Sequence, residues 1–362
     1  MKVGIITKTG KNYGALLQAY ALRKICEKNG AEAHVLKYTP KILRNSYKVC
    51  KYKWRFKGTI VNLQALLHYK DIKKGSDRFL QFREEEFHFL GDYNSYEEMK
   101  ANPPVCDVYI SGSDQVWNPD ISFDNAFYFS CISKENVKLT SYAASIGLQA
   151  LPDELKMEFK RRVSRFDYIS VREKQAQKIL EDLGIKADVS PDPTLLLDKE
   201  DWDAITRETI KGPYILCYFV SYPKGIEKIV EEVRQEYGDK YLIVNLMTSE
   251  DSSRIGDIKI RDAGPKEFLG LFKNASFVIT SSFHGTVFSI INRKMFVTTL
   301  YKSTSSRVVG LLQTLSLDDR IISPTNYNVD TMFKDDIYDK KFEKRLTDLK
   351  QIGHQTIKKI LE

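Results

Sequence analysis

Cysteine is scarce in the chain, and its cysteines are not paired by any recognisable spacing. The 362 residues include five cysteines, and no C-x-x-C pair occurs among them. A disulfide framework usually has an even number of regularly spaced cysteines, and a structural zinc site usually has two close pairs of ligands. The pattern therefore argues against both and favours a reducing compartment.

Long hydrophobic runs are missing as well. No apolar stretch approaches the ~18 residues that a membrane-spanning helix needs. The first residues, MKVGIITKTG, predict a strand and show no signal peptide. We therefore expect a cytoplasmic protein, either free or held peripherally at the inner face of the membrane.

Acidic residues are absent from residues 41–60, although the whole chain has 48 Asp and Glu beside 56 Lys and Arg. This basic-aromatic segment, KILRNSYKVCKYKWRFKGTI, has seven Lys or Arg interleaved with four aromatic residues. It is either a solvated surface insertion or a contact with an anionic membrane surface or a lipid-diphosphate acceptor, because basic side chains and Trp both favour acidic interfaces. Nucleic acid is not predicted as a partner, since no recognition helix, zinc pattern or aromatic RNA-binding motif is present.

The length and the order of the patterns predict two α/β domains. Hydrophobic residues make up 42% of the chain and charged residues 29%, as in ordinary globular proteins. Residues 2–7 predict a strand, 15–29 a helix and AEAHVLKY a second strand. The same succession returns at Pro213, with PYILCYFV, PKGIEKIVEEVRQEY and KYLIVNLM. Two such successions indicate two mostly parallel sheets with helices on both faces.

We predict an α/β fold with two Rossmann-like, doubly wound domains that face a cleft. The N-terminal domain spans residues 1–195, with a basic-aromatic insertion near 41–100, and the C-terminal domain spans 196–335. Residues 336–362 form a helix that packs back across the domains. Doubly wound domains bind ligands at the carboxyl ends of their strands, where helix N-termini favour anions.

Two polar segments follow predicted strands in the N-terminal half. The loop at residues 9–15, TGKNYGA, lacks the glycine spacing of a dinucleotide or P-loop motif, so a plain turn and a sugar or phosphate site both stay open. Residues 111–117, SGSDQVW, end the strand DVYI. Such a polar cluster is typical of a binding site, although Asp114 could simply cap a turn with Trp117 packed beneath it.

Two further segments place ionisable side chains at strand ends. Arg172 ends the strand of DYISVRE and can bind carboxylate or phosphate with its planar fork, or pair structurally with Glu173, Asp167 or Asp192. His284 follows the strand FVIT within TSSFHG, where a helix is predicted to begin. Histidine can donate and accept protons near neutral pH, although a single histidine is often only structural.

Taken together, these motifs resemble the polysaccharide pyruvyl transferase family. The resemblance rests on NYGALLQAYAL, VYISGSDQVWNP, SYAASIG, ISVRE, DVSPDPTLLL and VITSSFHGTVFSIINRKMFV, in that order, over roughly residues 1–320. Membership would imply a GT-B-like architecture and transfer of a pyruvyl group from phosphoenolpyruvate to a sugar. It would also imply catalytic or donor-binding roles for His284, Arg172 and Lys302. Many members carry arginine two residues before this histidine, whereas this chain has Ser282.

Formation of a pyruvyl ketal needs a proton donor and acceptor and cations for a carboxylate and a phosphate, but no metal or redox cofactor. The predicted catalytic residues are His284, Arg172 and Lys302. The predicted donor-binding residues are Ser281, Ser282, Gly285, Thr286 and Arg307. The predicted acceptor-binding residues are Asn12, Tyr13, Gly14, Ser113, Asp114, Gln115, Trp117 and Asp192.

Two other functions stay open from the sequence. One is a GT-B-type glycosyltransferase that uses a nucleotide-sugar donor, although no ribose-binding carboxylate can be assigned. The other is a non-catalytic, membrane-associated protein of glycan assembly, supported by the basic-aromatic segment. The predicted partners are phosphoenolpyruvate and a sugar acceptor, free or lipid-linked, with an anionic membrane and a homo-oligomer as further options.

Overall fold

Two parallel β-sheets with alternating helices make up the structure, a computed structural model that describes residues 1–50, 56–248, 252–300, 305–334 and 336–362. The chain forms two compact units. Unit 1 contains Met1–Tyr47, Gln81–Leu197 and Thr347–Glu362, and unit 2 contains Lys48–Leu80 and Asp198–Leu346. The domain boundaries expected from the sequence stay predictions.

The sheet of unit 1 has seven strands, all parallel, in the order β3-β2-β1-β4-β5-β6-β7. Their bounds are β1 Lys2–Ile6, β2 Glu32–Tyr38, β3 Leu90–Tyr93, β4 Val108–Ser111, β5 Lys138–Ala144, β6 Tyr168–Val171 and β7 Asp188–Val189. The helices of the first half of the chain are α1 Tyr13–Lys28, α2 Lys41–Asn45, α3 Phe56–Leu67, α4 Tyr69–Glu86, α5 Tyr96–Ala101, α6 Asp153–Val163 and α7 Lys174–Asp182.

The sheet of unit 2 has six parallel strands in the order β10-β9-β8-β11-β12-β13. Their bounds are β8 Tyr214–Tyr218, β9 Leu242–Leu246, β10 Ile258–Ile260, β11 Phe277–Thr280, β12 Met295–Thr299 and β13 Ile321–Ile322. The helices of the second half are α8 Lys199–Asp203, α9 Ile226–Tyr237, α10 Pro265–Asn274, α11 Phe283–Ile291, α12 Ser305–Leu315, α13 Val329–Met332 and α14 Lys340–Leu361.

Local sequence explains how the first βαβ segment forms. Asn12 caps α1 by accepting a hydrogen bond of 3.0 Å from the backbone N–H of Ala15. Gly30 follows the helix with a φ of +83°, a left-handed conformation that glycine adopts without steric cost. The predicted helix over 15–29 and the strands on either side of it are thereby confirmed.

Each sheet has its own hydrophobic core and its own switch point. In unit 1 the aromatic side chains Trp117, Tyr128, Phe159 and Phe166 pack together in the core. The strand order reverses between β1 and β4 in unit 1 and between β8 and β11 in unit 2. Ligands of doubly wound sheets bind at the carboxyl ends of such strands. The predicted fold class, α/β with two Rossmann-like, doubly wound sheets of the GT-B-like kind, is confirmed.

No helix in the described part of the chain is long and apolar enough to cross a membrane.

Candidate functional site

A buried arginine and aspartate lie at the carboxyl ends of the strands in unit 1. Arg172 follows β6, and its Nη1 donates hydrogen bonds of 2.8 Å to Oδ2 of Asp192 and of 3.3 Å to Oγ of Ser113. The other carboxylate oxygen of Asp192 accepts hydrogen bonds from the backbone N–H and the hydroxyl of Thr194, at 3.1 and 2.7 Å. The structure therefore brings together three predicted site residues, Arg172, Asp192 and Ser113.

The charge of Arg172 is retained despite its burial. Burial opposes the positive charge, but the carboxylates of Asp192, Glu173 and Asp114 outweigh this effect and raise the pKa of Arg172 above its ordinary value. The Nη2 atom of Arg172 lies 4.0 Å from Oδ1 of Asp114, and its Nε lies 4.0 Å from Oε2 of Glu173. The guanidinium is thus a fixed cation surrounded by three carboxylates.

Glu173 orders the neighbouring turn after β5. Its Oε1 accepts hydrogen bonds from the hydroxyl of Ser145 at 2.8 Å and from the backbone N–H groups of Ile146 and Gly147 at 3.2 and 3.1 Å. This is the SYAASIG segment of the resemblance. Glu173 therefore binds both a side chain and the backbone of this segment at the end of β6.

Lys8 is a cation of this site that the sequence interpretation missed. It follows β1, its Nζ atom is buried, and Nζ makes no hydrogen bond in the described part of the chain. Burial lowers the pKa of Lys8 below its ordinary value, while attraction to Asp114 partly offsets the effect. Lys8 and Arg172 therefore both interact with Asp114. Its position directly after the first strand was the signal that could have identified it.

Asp114 itself has an unusual backbone conformation. Its φ is +79°, a left-handed value that Asp tolerates better than most residues. Its carbonyl accepts hydrogen bonds from the backbone N–H groups of Val116 and Ser145, at 2.8 and 2.9 Å. The side chain is 22% exposed, unlike that of Asp192, which is fully buried. Asp114 is thus the carboxylate of this group that is accessible to a ligand.

The other predicted acceptor residues differ in their surroundings. Trp117 is fully buried, stacked on Tyr128 and in edge contact with Phe159 and Phe166, so it packs beneath the turn, one of the two interpretations given above. Gln115 accepts a hydrogen bond of 3.3 Å from the Asn118 amide.

The predicted residues of the first loop lie at the start of α1. Asn12 caps the helix, and Tyr13 and Gly14 are buried in its first turn. The Gln18 amide donates a hydrogen bond of 2.8 Å to Oγ1 of Thr7, whose hydroxyl donates to the carbonyl of Ser113 at 2.7 Å. These contacts tie the first loop to the turn that carries Ser113 and Asp114.

In unit 2 the hydroxyls of the TSSFHGT segment hold the turn between β11 and α11. Ser282 caps α11 by accepting a hydrogen bond of 3.2 Å from the backbone N–H of Gly285. Ser281 donates to the carbonyl of Ser221 at 2.7 Å, and Thr286 donates to the carbonyl of Ser282 at 3.1 Å. These predicted donor-binding side chains therefore have local partners, and the turn they form is rigid before any ligand binds.

Gly285 is required by packing within this turn. A Cβ atom added to Gly285 would lie 2.3 Å from Oγ1 of Thr280 and 3.1 Å from Cδ1 of Tyr218. The hydroxyl of Thr280 is itself fixed by a hydrogen bond of 2.7 Å to the carbonyl of Tyr218. Glycine at this position therefore lets α11 approach β11 closely, and the donor-binding role expected for Gly285 stays a prediction.

His284 lies in the first turn of α11, and Arg307, another predicted site residue, lies near it. The His284 ring contacts the Phe283 ring edge-on at 5.1 Å, and only 8% of the His284 surface is exposed. The guanidinium of Arg307, on α12, lies 5.7 Å from the centre of the Phe283 ring. His284 and Arg307 therefore both lie beside the ring of Phe283. Lys302, the third cation predicted for this half of the chain, lies outside the described residues.

Metal ligands are not clustered in the described ranges. No group of three or more His, Cys, Asp or Glu side chains is arranged there to hold a metal ion. The prediction that the reaction needs no metal stays a prediction.

Solved structures share this fold at low sequence identity. A protein from Listeria monocytogenes described as a UDP-N-acetylglucosamine 2-epimerase is 13% identical, with a TM-score of 0.52 over 99% of this chain and 94% of that chain. A second UDP-N-acetylglucosamine 2-epimerase is 10% identical, with a TM-score of 0.50 over 100% of this chain and 96% of the other. At such identities the likeness shows the fold alone. The chain matches no curated protein.

A family model describes the chain more specifically. The model of the polysaccharide pyruvyl transferases matches residues 12–303, a range that includes Arg172, Asp192 and His284. Because this match spans well over half of the sequence, the chain belongs to the polysaccharide pyruvyl transferase family.

Proposed function

We propose that the protein transfers a pyruvyl group from phosphoenolpyruvate to two hydroxyls of a sugar in a polysaccharide or cell-surface glycan precursor, forming a ketal. The observation that carries this proposal is the fixed cation Arg172, held at the end of β6 by Asp192 and Ser113. A planar guanidinium binds carboxylate or phosphate in a defined orientation. Family membership gives the transferase class within which this site is interpreted.

Phosphoenolpyruvate carries a carboxylate and a phosphate, so its site needs several positive charges. Lys8 and Arg172 are two buried cations at the strand ends of unit 1, and we assign them to the donor, which would compete there with the carboxylates of Asp114, Asp192 and Glu173. Arg307, which lies beside Phe283 in unit 2, keeps the donor-binding role predicted from the sequence. Lys302 stays in the proposal on the ground of the family motif alone. Because this chain has Ser282 where many family members carry arginine, we assign the missing positive charge to Arg172, Lys302 and Arg307.

The proposed reaction moves two protons. A proton is added to the methylene carbon of phosphoenolpyruvate, one sugar hydroxyl attacks the central carbon, and the bond from that carbon to the phosphate oxygen breaks. A second hydroxyl then closes the ketal, and inorganic phosphate leaves with the remaining proton. His284 is assigned the proton transfers, because imidazole can both donate and accept a proton near neutral pH.

The acceptor hydroxyls need a carboxylate that is accessible. Both oxygens of Asp192 already accept hydrogen bonds within the protein, and its side chain is fully buried. The partly exposed Asp114 is therefore assigned to the acceptor, and Asp192 is assigned to positioning Arg172. The strained left-handed backbone of Asp114 supports this role, since such strain is common at functional sites.

The test measures phosphate release from phosphoenolpyruvate in the presence of a panel of soluble hexose and N-acetylhexosamine glycosides. Release is expected only when donor and a suitable acceptor are both present. We expect His284→Ala to lower turnover by a factor of roughly 10² to 10⁴, the usual contribution of a general acid or base. The matched control is His68→Ala, a partly exposed histidine of the same unit, which should leave turnover unchanged.

Two results would contradict the proposal. If His284→Ala keeps the wild-type rate, the assignment of proton transfer is wrong. If UDP- or GDP-sugars raise the melting temperature and phosphoenolpyruvate does not, the donor is wrong and a glycosyltransferase takes its place. A ligand at 100 times its Kd stabilises a fold by about 2.7 kcal/mol, so the shift is measurable.

A further inference from the structure

The helix α3 turns its apolar residues towards solvent. Its exposed large hydrophobic side chains include Leu67 at 81% and Leu63 at 53% exposure, and among the side chains that the structure describes the set is Ile60, Val61, Leu63, Leu66 and Leu67. Ile60, Leu63 and Leu67 are three and four residues apart, so they form one stripe along the helix. Exposed apolar stripes of this kind mark an interaction surface.

The side of α3 that faces the protein is polar or small. Asn62 is fully buried, while Gly58 and Ala65, four before and three after it, are half-buried. In an ordinary surface helix the apolar stripe faces the core and the polar side faces water. In α3 the arrangement is the opposite, with the apolar stripe in solvent and the polar side against the protein. This indicates that the apolar stripe binds a partner outside the chain.

The helix is fixed to a rigid part of unit 2 through α4, which follows it directly. A Cβ atom on Gly75 of α4 would lie 3.0 Å from the carbonyl oxygen of Arg261, so the two backbones are in close contact. Arg78 donates a hydrogen bond of 2.8 Å to the carbonyl of Asp262 and forms an ion pair with its carboxylate. The helix that carries the exposed stripe is thus followed directly by a helix that is packed against Arg261 and Asp262.

The charge of the flanking sequence favours an anionic partner. Residues 41–70 contain eight Lys or Arg and no Asp or Glu. At the start of α4, Lys70 is exposed beside Asp71, while Lys73 and Lys74 form ion pairs with Asp77 and Asp262. Basic residues next to an apolar helix face are the pattern of helices that lie in the surface of acidic membranes. A symmetric dimer through the same face would instead bring two copies of this basic segment together, at a cost in repulsion.

We propose that α3 docks the protein on an anionic membrane surface, with Ile60, Leu63, Leu66 and Leu67 inserted among the lipid headgroups and the flanking lysines and arginines on the acidic lipids. This inference does not depend on the proposed reaction, since no residue of the candidate catalytic site belongs to the stripe. Of residues 41–60, for which a membrane contact was expected, the stripe includes Ile60, and residues 51–55 lie outside the described residues.

The test is flotation of the purified protein with vesicles. Vesicles of equal parts phosphatidylglycerol and phosphatidylcholine should bind the wild-type protein. Vesicles of phosphatidylcholine alone should bind it with an affinity at least about tenfold lower. The variant Leu63→Gln/Leu67→Gln should lose about tenfold or more of the binding to anionic vesicles, because less apolar surface is inserted. The matched control is Val105→Gln/Met157→Gln, which changes two side chains exposed by 80% and 79% in unit 1.

Three results would overturn the proposal. The first is no binding of the wild-type protein to anionic vesicles, which needs no variant to interpret. The second is equal binding by Leu63→Gln/Leu67→Gln and the control. The third is a concentration-dependent dimer that Leu63→Gln/Leu67→Gln abolishes while vesicles stay unbound, because a second copy of the chain would then be the partner.

Discussion

The Nη1 atom of Arg172 donates a hydrogen bond of 2.8 Å to Oδ2 of Asp192, and both side chains are almost completely removed from solvent. Asp192 is in turn fixed by Thr194, whose backbone N–H and hydroxyl bind its second oxygen. The guanidinium is therefore held in one orientation by groups that do not change during a reaction. A charge that is positioned in advance stabilises a transition state without the cost of reorganisation.

The first prediction concerns the stability of this pair. Asp192→Ala leaves the buried Arg172 without its main partner, and we expect a loss of about 3–5 kcal/mol in the free energy of unfolding. Arg172→Met combined with Asp192→Ala should cost less than Asp192→Ala alone, because no uncompensated charge stays buried. Urea unfolding measures both values. The control is Asp77→Asn, which breaks an exposed pair with Lys73 and should cost about 0.5 kcal/mol or less.

A double variant that is as unstable as the sum of the two single variants would show that the pair is not coupled. In that case Asp192 would stabilise the folded state through its hydrogen bonds with Thr194, and the orientation of Arg172 would need another explanation. The variant Arg172→Lys tests the role of Arg172 in binding the donor, since it keeps the charge but loses the planar fork. Calorimetry should show weaker binding of phosphoenolpyruvate to Arg172→Lys than to the wild-type protein.

The second prediction concerns Lys8 and has a defined pH dependence. Its pKa is lowered in the folded state from the ordinary 10.5, so the charged side chain is destabilised by burial. This penalty is fully present below the folded pKa and declines as the pH rises through it, and it disappears above 10.5, where the side chain becomes neutral in the unfolded state as well. Lys8→Met should therefore raise the free energy of unfolding at neutral pH, and the difference from wild type should shrink as the pH approaches 10.5.

The same variant should damage function. Loss of a charge-assisted contact to the donor costs about 1.5–3 kcal/mol, which is roughly a 10- to 150-fold decrease in kcat/KM. Lys186→Met, at an exposed position of the same unit, is the control and should change neither quantity. A Lys8→Met protein that is less stable and fully active would mean that Lys8 is structural.

The strand ends could be predicted from the sequence, but the burial of individual side chains could not. Arg172 stands directly after β6 and His284 four residues after the end of β11, so their positions near the sheet edges followed from chain order. Lys8 also follows a strand and was missed, because the feature that marks it is its attraction to Asp114, a residue far along the chain. Contacts between distant segments leave no local pattern.

Trp117 and Gly285 show a second limit of the sequence. A polar cluster such as SGSDQVW does not tell which side chains turn inward, and the structure places Trp117 entirely within the aromatic core. Glycine at a helix start is compatible with a ligand or with close packing, and the 2.3 Å approach to Thr280 decides for packing. In both residues the missing information is the tertiary contact.

The third prediction tests that contact. Gly285→Ala forces a methyl group against Thr280, and overpacking of this kind costs about 1–3 kcal/mol of stability. Gly310→Ala is the matched control in α12, because a Cβ there meets nothing within 4 Å. It should be neutral or stabilise by about 0.5–1 kcal/mol, as alanine does in place of glycine within a helix. Thermal unfolding of both variants decides, and equal stabilities would contradict the packing role.

The fourth prediction separates the two roles of Ser282, which caps α11 and occupies the position where many family members carry arginine. Asn and Asp both cap helices as well as Ser, but Ser282 is buried, so we expect each of Ser282→Asn and Ser282→Asp to lower the stability by about 1–3 kcal/mol through overpacking.

The two substitutions have nearly the same size and differ in charge, so a comparison of their activities reports only on the charge. If a donor carboxylate or phosphate lies at this helix N-terminus, Ser282→Asp should lower kcat/KM for phosphoenolpyruvate at least about tenfold relative to Ser282→Asn, because like charges repel at short range. Equal activities of the two variants would place the donor's negative groups away from α11. The cations of unit 1, Lys8 and Arg172, would then be the better candidates for its anion site.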